Sequence, residues 1–113
     1  MILYSISIPN FDKMAEKNKG EAAKFNLVAI YNAEKRHKLD KGQYYSCAAP
    51  CSIATLNSEL GILISDHYFD YGVILSLTGF EATAIRKEKG VCGGKKIKVT
   101  NENSAPVKDC SVW

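Results

Sequence analysis

Four cysteines are the residues of this 113-residue chain whose type and spacing point most directly to chemistry: Cys47, Cys51, Cys92 and Cys110. An even number of cysteines in a small domain is typical of disulfides formed in an oxidising compartment. Structural zinc sites usually contain C-x2-C pairs, whereas the spacings here are C-x3-C and C-x17-C. The sequence therefore favours disulfides over a zinc site or unpaired core thiols.

The connectivity of these cysteines is open, because four cysteines allow three pairings and sequence alone does not choose among them. Cys92 precedes a predicted strand and Cys110 follows it, so a strand out and a segment back would bring the two together. Cys47 and Cys51 flank residues 48–50, and one tight turn supplies the short separation that a bridge requires. These arguments favour Cys92–Cys110 and Cys47–Cys51, with a bridge from Cys47 or Cys51 to Cys110 as the alternative.

Oxygen-bearing side chains in the segment TNENSAPVKD are a candidate calcium site. The segment lacks a dense pattern of carboxylates and does not match an EF-hand loop. A polar surface loop is therefore the favoured interpretation. The ligands of the weaker calcium interpretation would be Asn101, Glu102, Asn103, Ser104 and Asp109.

Basic side chains near the C-terminal part form a candidate surface for duplex DNA. They are Lys95, Lys96 and Lys98, with Arg86 and Lys87. Phosphate binding usually needs a denser cluster, so a solvated strand face is favoured and DNA is an unlikely partner. The net charge of +3 does not come from this surface. It comes from residues 12–41, which contain eight Lys/Arg and five Asp/Glu.

Motifs of enzymes are missing from the sequence. It has no G-x-S-x-G, H-E-x-x-H or P-loop pattern, and GVCGGKK lacks the spacing of a Walker motif. Cys47 and Cys51 have one residue too many for a redox C-x-x-C pair. We therefore predict a protein without enzymatic activity and without a cofactor. A secreted, disulfide-stabilised binding module is one such class.

A long helix over residues 10–42 is the main predicted element, and Gly42 is its expected end. Either Asn10 caps the helix, or the helix runs through from residue 2 with a kink at Pro9. Gly20 is the one interruption, at a cost of about 1 kcal/mol. The first half is polar nearly all round, so we expect a partner outside the chain to cover it.

The second half of this helix has two apolar faces. Ala23, Leu27 and Ile30 recur at helical spacing, and Glu34 and His37 continue that line. A second face contains Phe25, Val28 and Tyr31. Two faces indicate two partners, which we interpret as a sheet on one side and neighbouring subunits on the other.

Residues 43–113 predict a globular head of short elements. CAAPC reads as a tight turn, and SIATLNSELG as a short helix capped by Ser52 and ended by Gly61. HYFDYGVILSLTG and FEATAIRK alternate as a hairpin, KIKVT is a third strand and VKDCSVW a possible fourth. The inward sets are Phe69, Tyr71, Val73, Leu75 and Leu77, then Phe80, Ala82 and Ala84, with Glu81, Thr83 and Arg86 on the opposite face. The predicted fold class is α+β, one long helix on an antiparallel sheet of three to four strands.

The order of these features resembles type IV pilins and pseudopilins. The resemblance is carried by ISIPNF, the charged helix middle, NLVAIYNAE and the G-x-Y exit in GQYY, over residues 2–45. It is looser over residues 53–100. In that family a C-terminal disulfide loop is common, which supports Cys92–Cys110. His37 stands where the family often has an aromatic residue, and we expect it to pack against the sheet.

The resemblance implies a structural role. The chain would be a subunit of a helical homopolymer, a type IV pilus used for adhesion, motility or attachment, with inner-membrane assembly machinery as a further partner. Pro9, Phe11, Phe25, Leu27, Ile30 and Tyr31 are the expected core and assembly residues of the helix. A type II secretion pseudopilin or a minor pilin that binds DNA during uptake are the alternatives.

The N-terminal stub ILYSISIP is expected to be the remnant of a longer hydrophobic helix. Residues 1–9 end in proline and are too short to span a bilayer, which needs about 18 apolar residues. The sequence also has no export leader, although its cysteines predict an oxidising compartment. We therefore expect the membrane segment to lie upstream, and the full-length protein to reside in a surface pilus or on the periplasmic side of the inner membrane.

Overall fold

The computed structural model describes the backbone of residues 2–113 and the side chains of residues 12–113. The predicted remnant over residues 1–9 and the roles of Pro9 and Phe11 therefore fall outside the described side chains. Among the described residues, no helix is long and apolar enough to cross a membrane.

The first element is α1, a helix of 40 residues that spans Ile2–Lys41. It begins before the predicted residue 10, in agreement with the alternative in which the helix runs through from residue 2. Its C-terminal end was predicted correctly. Gly42 adopts a left-handed conformation with φ of 83°, and its backbone N–H donates to the Lys38 carbonyl over 2.9 Å.

The α+β fold class is confirmed, but the sheet has five strands in the described part of the chain rather than three to four. All neighbouring strands are antiparallel and follow the chain order, which makes the sheet a simple meander. The strands are β1 (Cys47–Cys51), β2 (Phe69–Leu75), β3 (Phe80–Arg86), β4 (Lys96–Thr100) and β5 (Asn103–Lys108).

The additional strand is β1, which we predicted as a tight turn. It pairs with β2 at the sheet edge, where Cys47 faces Val73 and Cys51 faces Tyr71, with an irregular register between them. A bulged edge strand tolerates Pro50, because a proline there removes no ladder hydrogen bond from a central strand. The segment thus bends like a turn and still pairs as a strand.

The last strand also differs from its predicted place. Thr100 pairs with Asn103, so the chain reverses within two residues and β5 begins well before VKDCSVW. At the same end of the sheet, β2 ends at Leu75, which pairs with Phe80 next to the hairpin turn. Leu75 is more than half exposed and Leu77 lies fully exposed in that turn, so neither belongs to the inward set.

The short helix α2 spans Ile53–Leu60 and was predicted with both of its ends. The Ser52 hydroxyl accepts from the Thr55 backbone N–H, and Gly61 ends the helix in a left-handed conformation with φ of 65°. Leu56 and Leu60 are its buried residues, which join the core beside α1.

The core lies between one face of the sheet and one face of α1. As the apolar stripe predicted, Ala23, Leu27 and Ile30 are completely buried. They pack with the inward residues of the strands, which are Phe69, Tyr71, Val73, Phe80, Ala82, Ala84, Ile97 and Val99. Burial of these apolar side chains fixes the helix on the sheet.

Candidate assembly surface

Glu16 anchors the N-terminal half of α1 to the head through a buried ion pair. Its Oε2 accepts from Arg86 Nε over 2.9 Å, and its Oε1 accepts from Arg86 Nη2 over 3.3 Å. The indole Nε1 of Trp113 donates to the same Oε2 over 3.1 Å. Burial alone would raise the pKa of Glu16, but these hydrogen bonds and the Arg86 charge hold it below its usual value.

Arg86 corrects our assignment of the faces of β3. We placed it with Glu81 and Thr83, yet it has the same parity as Phe80, Ala82 and Ala84 and is buried with them. Side chains alternate strictly along a strand, so an inward arginine needs a partner, and Glu16 is that partner. The carbonyl of Tyr68 accepts a further bond from Arg86 Nη1 over 3.2 Å.

Gly20 is where the last residue of the chain meets α1. A Cβ built on Gly20 would overlap the Trp113 ring atoms Cδ1 and Cγ. The centroid of the Trp113 ring also lies 5.3 Å from that of the Phe69 ring. The backbone oxygen of Trp113 accepts a hydrogen bond from Lys24 Nζ over 3.0 Å. Part of the polar helix half is therefore covered by the head itself, which our expectation of an outside partner did not foresee.

Replacing Gly20 with alanine is expected to destabilise the protein by about 1–3 kcal/mol, because the new methyl group displaces the Trp113 ring. This loss exceeds the gain of about 1 kcal/mol in helix propensity. Chemical denaturation measures the difference. In a Trp113→Ala background the same substitution should become neutral or stabilising, and a loss of equal size there would contradict the packing argument.

The C-terminal end of α1 anchors the following loop through three side chains. Glu34 Oε1 accepts from the Tyr45 backbone N–H over 2.7 Å, His37 Nδ1 donates to the Gln43 carbonyl over 2.7 Å, and Lys38 Nζ donates to the Gly42 carbonyl over 3.0 Å. His37 lies beside the Tyr45 ring in this loop, with 6.1 Å between the ring centroids, and its expected packing against the sheet stays a prediction.

Glu34 is completely buried, and its Oε2 has no hydrogen-bond partner among the described residues. Burial is the dominant effect on its ionisation and raises its pKa from 4.5 to about 7, against the lowering effect of the Tyr45 N–H and the His37 charge. A protonated carboxyl group therefore suits this site better than a carboxylate.

Stability is expected to fall between about pH 4.5 and 7, because the unfolded chain ionises Glu34 over this interval while the folded chain keeps it protonated. The contribution is fully present below about pH 4.5 and is lost above about pH 7, with a size of at most about 3 kcal/mol. Glu34→Gln retains an acceptor for Tyr45 and should remove this component of the pH dependence.

Chemical denaturation of both proteins at pH 4.5 and 7.5 measures the effect. The matched control is Glu59→Gln, because Glu59 is exposed and its replacement should leave the pH dependence unchanged. Identical pH dependence in wild type and Glu34→Gln would contradict the assignment.

A third buried polar group joins the middle of α1 to β2. Asn26 Nδ2 donates to the Tyr71 hydroxyl over 3.0 Å and to the Ser65 carbonyl over 3.1 Å. The Tyr71 hydroxyl donates to Asp66 Oδ2 over 2.5 Å. Burial and the bond to Asp66 raise the pKa of Tyr71, so it remains a donor. Together with Glu16 and Glu34, Asn26 fixes the rotation of α1 on the sheet.

The opposite side of α1 carries three exposed apolar side chains, about 17 and 21 Å apart along the helix, with exposed polar residues between them. Met14, Phe25 and Leu39 are 64%, 77% and 85% exposed. On a helix of about 100° per residue, these three positions fall within about 40° of one another. The same geometry places them roughly 120–180° from Leu27 and Glu34. We call Met14, Phe25 and Leu39 the outer stripe of α1.

The charges on the surface of α1 are mostly positive. Residues 12–41 contain five acidic side chains, and two of them, Glu16 and Glu34, are buried. Only Asp12, Glu21 and Asp40 therefore face solvent beside eight Lys/Arg. The helix thus presents a basic surface on which the three side chains of the outer stripe stand apart from one another.

The other predicted helix residues are distributed over both sides. Leu27 and Ile30 belong to the core, whereas Phe25 belongs to the outer stripe. Tyr31 is half-buried on the flank, 6.1 Å from Phe80 between ring centroids. Val28 is likewise half-buried. On the predicted second face, Phe25 therefore points outward, whereas Val28 and Tyr31 lie on a half-buried flank of the helix.

The cysteines form two disulfides, with the pairing that the sequence favoured. Cys47 is bonded to Cys51, with their Cα atoms 5.7 Å apart, and Cys92 to Cys110, with their Cα atoms 5.9 Å apart. The first closes the bulged edge strand β1. The second ties the loop after β3 to the segment that positions Trp113.

The candidate calcium ligands lie at opposite ends of β5, with Asn101, Glu102 and Asn103 at its start and Asp109 after its end. Asn101 accepts from the Phe80 N–H and donates to the Thr78 carbonyl, so its amide stabilises the hairpin turns. Asn103 accepts from the Ala105 N–H within its own strand. Glu102 and Asp109 are exposed, and the described residues contain no group of three or more His, Cys, Asp or Glu that could hold a metal ion.

The candidate DNA residues form no continuous basic stripe. Lys95, Lys96 and Lys98 are exposed, but Lys98 Nζ lies 3.4 Å from Glu81 Oε1. Arg86 is buried in its pair with Glu16, so it is not available to phosphates. Lys87 is exposed. The surface is that of a solvated strand face with mixed charge.

No family model, curated protein or solved structure matches this chain.

Proposed function

We propose that this protein is a structural subunit of a type IV pilus or a closely related filament. The resemblance of ISIPNF, NLVAIYNAE and GQYY to that family supports the proposal, together with an α+β plan in which one long helix packs on an antiparallel sheet. Other copies of the chain are the main partners, and the two disulfides suit a filament outside the cytosol.

The observation that carries the proposal is the outer stripe of α1. Buried polar anchors hold the helix so that Leu27 and Glu34 face the sheet, and the side with Phe25 must then face away. A helix with apolar residues on both sides has a second partner, and burial in that partner removes apolar area worth about 25 cal/mol per Å². Neighbouring copies packed along the helix would bury this line.

A head-to-tail contact between copies generates an open filament when its rotation does not close into a ring. The basic surface of α1 sets a further requirement, because parallel helices of like charge repel each other. The filament contacts must therefore bring acidic groups of the head, such as Glu59 or Glu102, near the lysines of a neighbouring helix. We expect filament stability to fall as salt screens these contacts.

The experiment compares filaments and fold for substitutions of the outer stripe. Phe25→Ala in a gene that encodes the hydrophobic segment implied by the resemblance should strongly reduce the surface filaments seen by electron microscopy. The same substitution in the 113-residue chain should change the free energy of unfolding by less than about 0.5 kcal/mol, because Phe25 is exposed. Leu63→Ala is the matched control, since Leu63 is 97% exposed but lies off the helix.

Two outcomes would contradict the proposal. Filaments at the wild-type level from a Met14→Ala/Phe25→Ala/Leu39→Ala variant would show that the outer stripe has no role in assembly. Sedimentation of the 113-residue chain should reveal monomers or weak self-association at micromolar concentration. Stable fibres formed by this chain alone would mean that the heads carry assembly without the hydrophobic segment that the resemblance implies.

A further inference from the structure

A cleft of about 500 Å³ lies between the N-terminal half of α1 and the loop after β3. It is separate from the outer stripe, because Lys19 borders it from the flank of the helix. Tyr68 and His67 border it from the segment before β2. The remaining lining residues are Arg86, Lys87, Glu88, Lys89 and Gly90.

The cleft contains more positive than negative charge. Arg86 is neutralised by Glu16, whereas Lys19, Lys87 and Lys89 have no acidic group within ion-pair distance in residues 12–113. Glu88 is the single carboxylate in the lining. Three ammonium groups and one carboxylate leave an excess of about two positive charges, which favours an anionic ligand.

An aromatic ring of the cleft, that of Tyr68, lies beside two of its cations. Tyr68 is 45% exposed, and Lys19 Nζ lies 4.4 Å from its ring centroid. Arg86 Cζ lies 5.5 Å from the same centroid. These cation–π contacts hold the ring in place, and its backbone is fixed as well, because the Tyr68 carbonyl accepts from Lys87 N–H over 3.0 Å.

We propose that this cleft binds an acidic sugar, in which a carboxylate or sulfate is attached to a pyranose ring. The anionic group would pair with Lys87, Lys89 and Lys19, and the apolar face of the ring would contact Tyr68. Small-molecule sites of this volume usually combine an aromatic wall with a few placed polar groups.

A single-stranded nucleic acid is the competing ligand, because aromatic rings and cations also bind stacked bases. Such binding follows a groove along which aromatic residues succeed one another. In the described residues, the aromatic side chains that line the cleft are Tyr68 and its chain neighbour His67, and no third ring continues a groove beyond them. The arrangement is therefore that of one compact site, and the inference is independent of filament formation.

The test is calorimetric titration of the 113-residue chain at low salt with four probes. These are trigalacturonate, a sulfated galactose trisaccharide, the neutral galactose trisaccharide and inorganic phosphate. We expect at least one of the acidic trisaccharides to bind, and at least tenfold more tightly than the neutral sugar or phosphate. Lys87→Ala/Lys89→Ala should weaken that binding at least tenfold, and Tyr68→Leu about fivefold.

The matched control is Lys41→Ala/Lys108→Ala, which removes the same charge from exposed positions outside the cleft. Binding that this control weakens as much as Lys87→Ala/Lys89→Ala would reduce the effect to net charge and overturn the site. Equal binding of the neutral sugar or of phosphate, or tighter binding of a thymidine hexanucleotide, would overturn the assignment to an acidic sugar. Absence of binding to either acidic probe would overturn it as well.

Discussion

Replacing Arg86 with alanine is expected to lower the free energy of unfolding by about 3–5 kcal/mol. The side chains of Arg86 and Glu16 are only 4% and 3% exposed, so the substitution leaves a carboxylate in a nearly dry site with Trp113 as its main remaining donor. Removal of one partner of a buried ion pair is costly because the other charge stays uncompensated. Denaturation at pH 7 measures the loss.

The control for this loss removes both charges of the buried pair. A double variant, Glu16→Leu/Arg86→Met, removes both charges and retains apolar volume, so it should be more stable than Arg86→Ala. Lys87→Ala alters the neighbouring exposed position and should change the free energy of unfolding by less than about 0.5 kcal/mol. A loss below about 1 kcal/mol for Arg86→Ala would show that the pair does not hold α1 to the sheet.

The parts of the fold that sequence could predict depend on local patterns. Ala23, Leu27 and Ile30 recur at the helical period, and this stripe marks the core face of α1 without any tertiary information. The α2 helix carries its signals at both ends, in Ser52 and Gly61. The hairpin of β2 and β3 follows from alternation. Each of these features requires only a short window of sequence.

The parts that sequence missed depend on residues far apart in the chain. Glu16 and Arg86 are 70 positions apart, and Glu16 and Trp113 are 97 apart. Nothing in a local window indicates that Gly20 leaves room for the Trp113 ring. One signal was present, because the parity of Arg86 with Phe80 already places it on the inward face of β3. An inward arginine predicts a buried carboxylate.

The candidate site shows the same division. The cysteine pairing could be argued from spacing, because each bridge joins positions that a turn or a returning strand brings together. The faces of α1 could be predicted only in part. Phe25 and Tyr31 are six residues apart on the predicted second face, but the first points to solvent and the second contacts Phe80. Which flank of the helix the sheet covers depends on strands far away in the sequence, such as β3 with Phe80, and a local pattern does not contain that information.

Replacing Leu27 with alanine is expected to lower the free energy of unfolding by about 3–4 kcal/mol, in the middle of the range for buried leucines. Leu27 is completely buried, so the lost methine and two methyl groups leave a cavity that rigid surroundings cannot fill. Phe25→Ala is the internal comparison, because it removes a larger side chain only two positions away that faces solvent. Denaturation of both variants should therefore show a loss at position 27 and almost none at position 25. Equal losses, or a larger loss for Phe25→Ala, would mean that α1 is rotated on the sheet, and the outer stripe would then be part of the core.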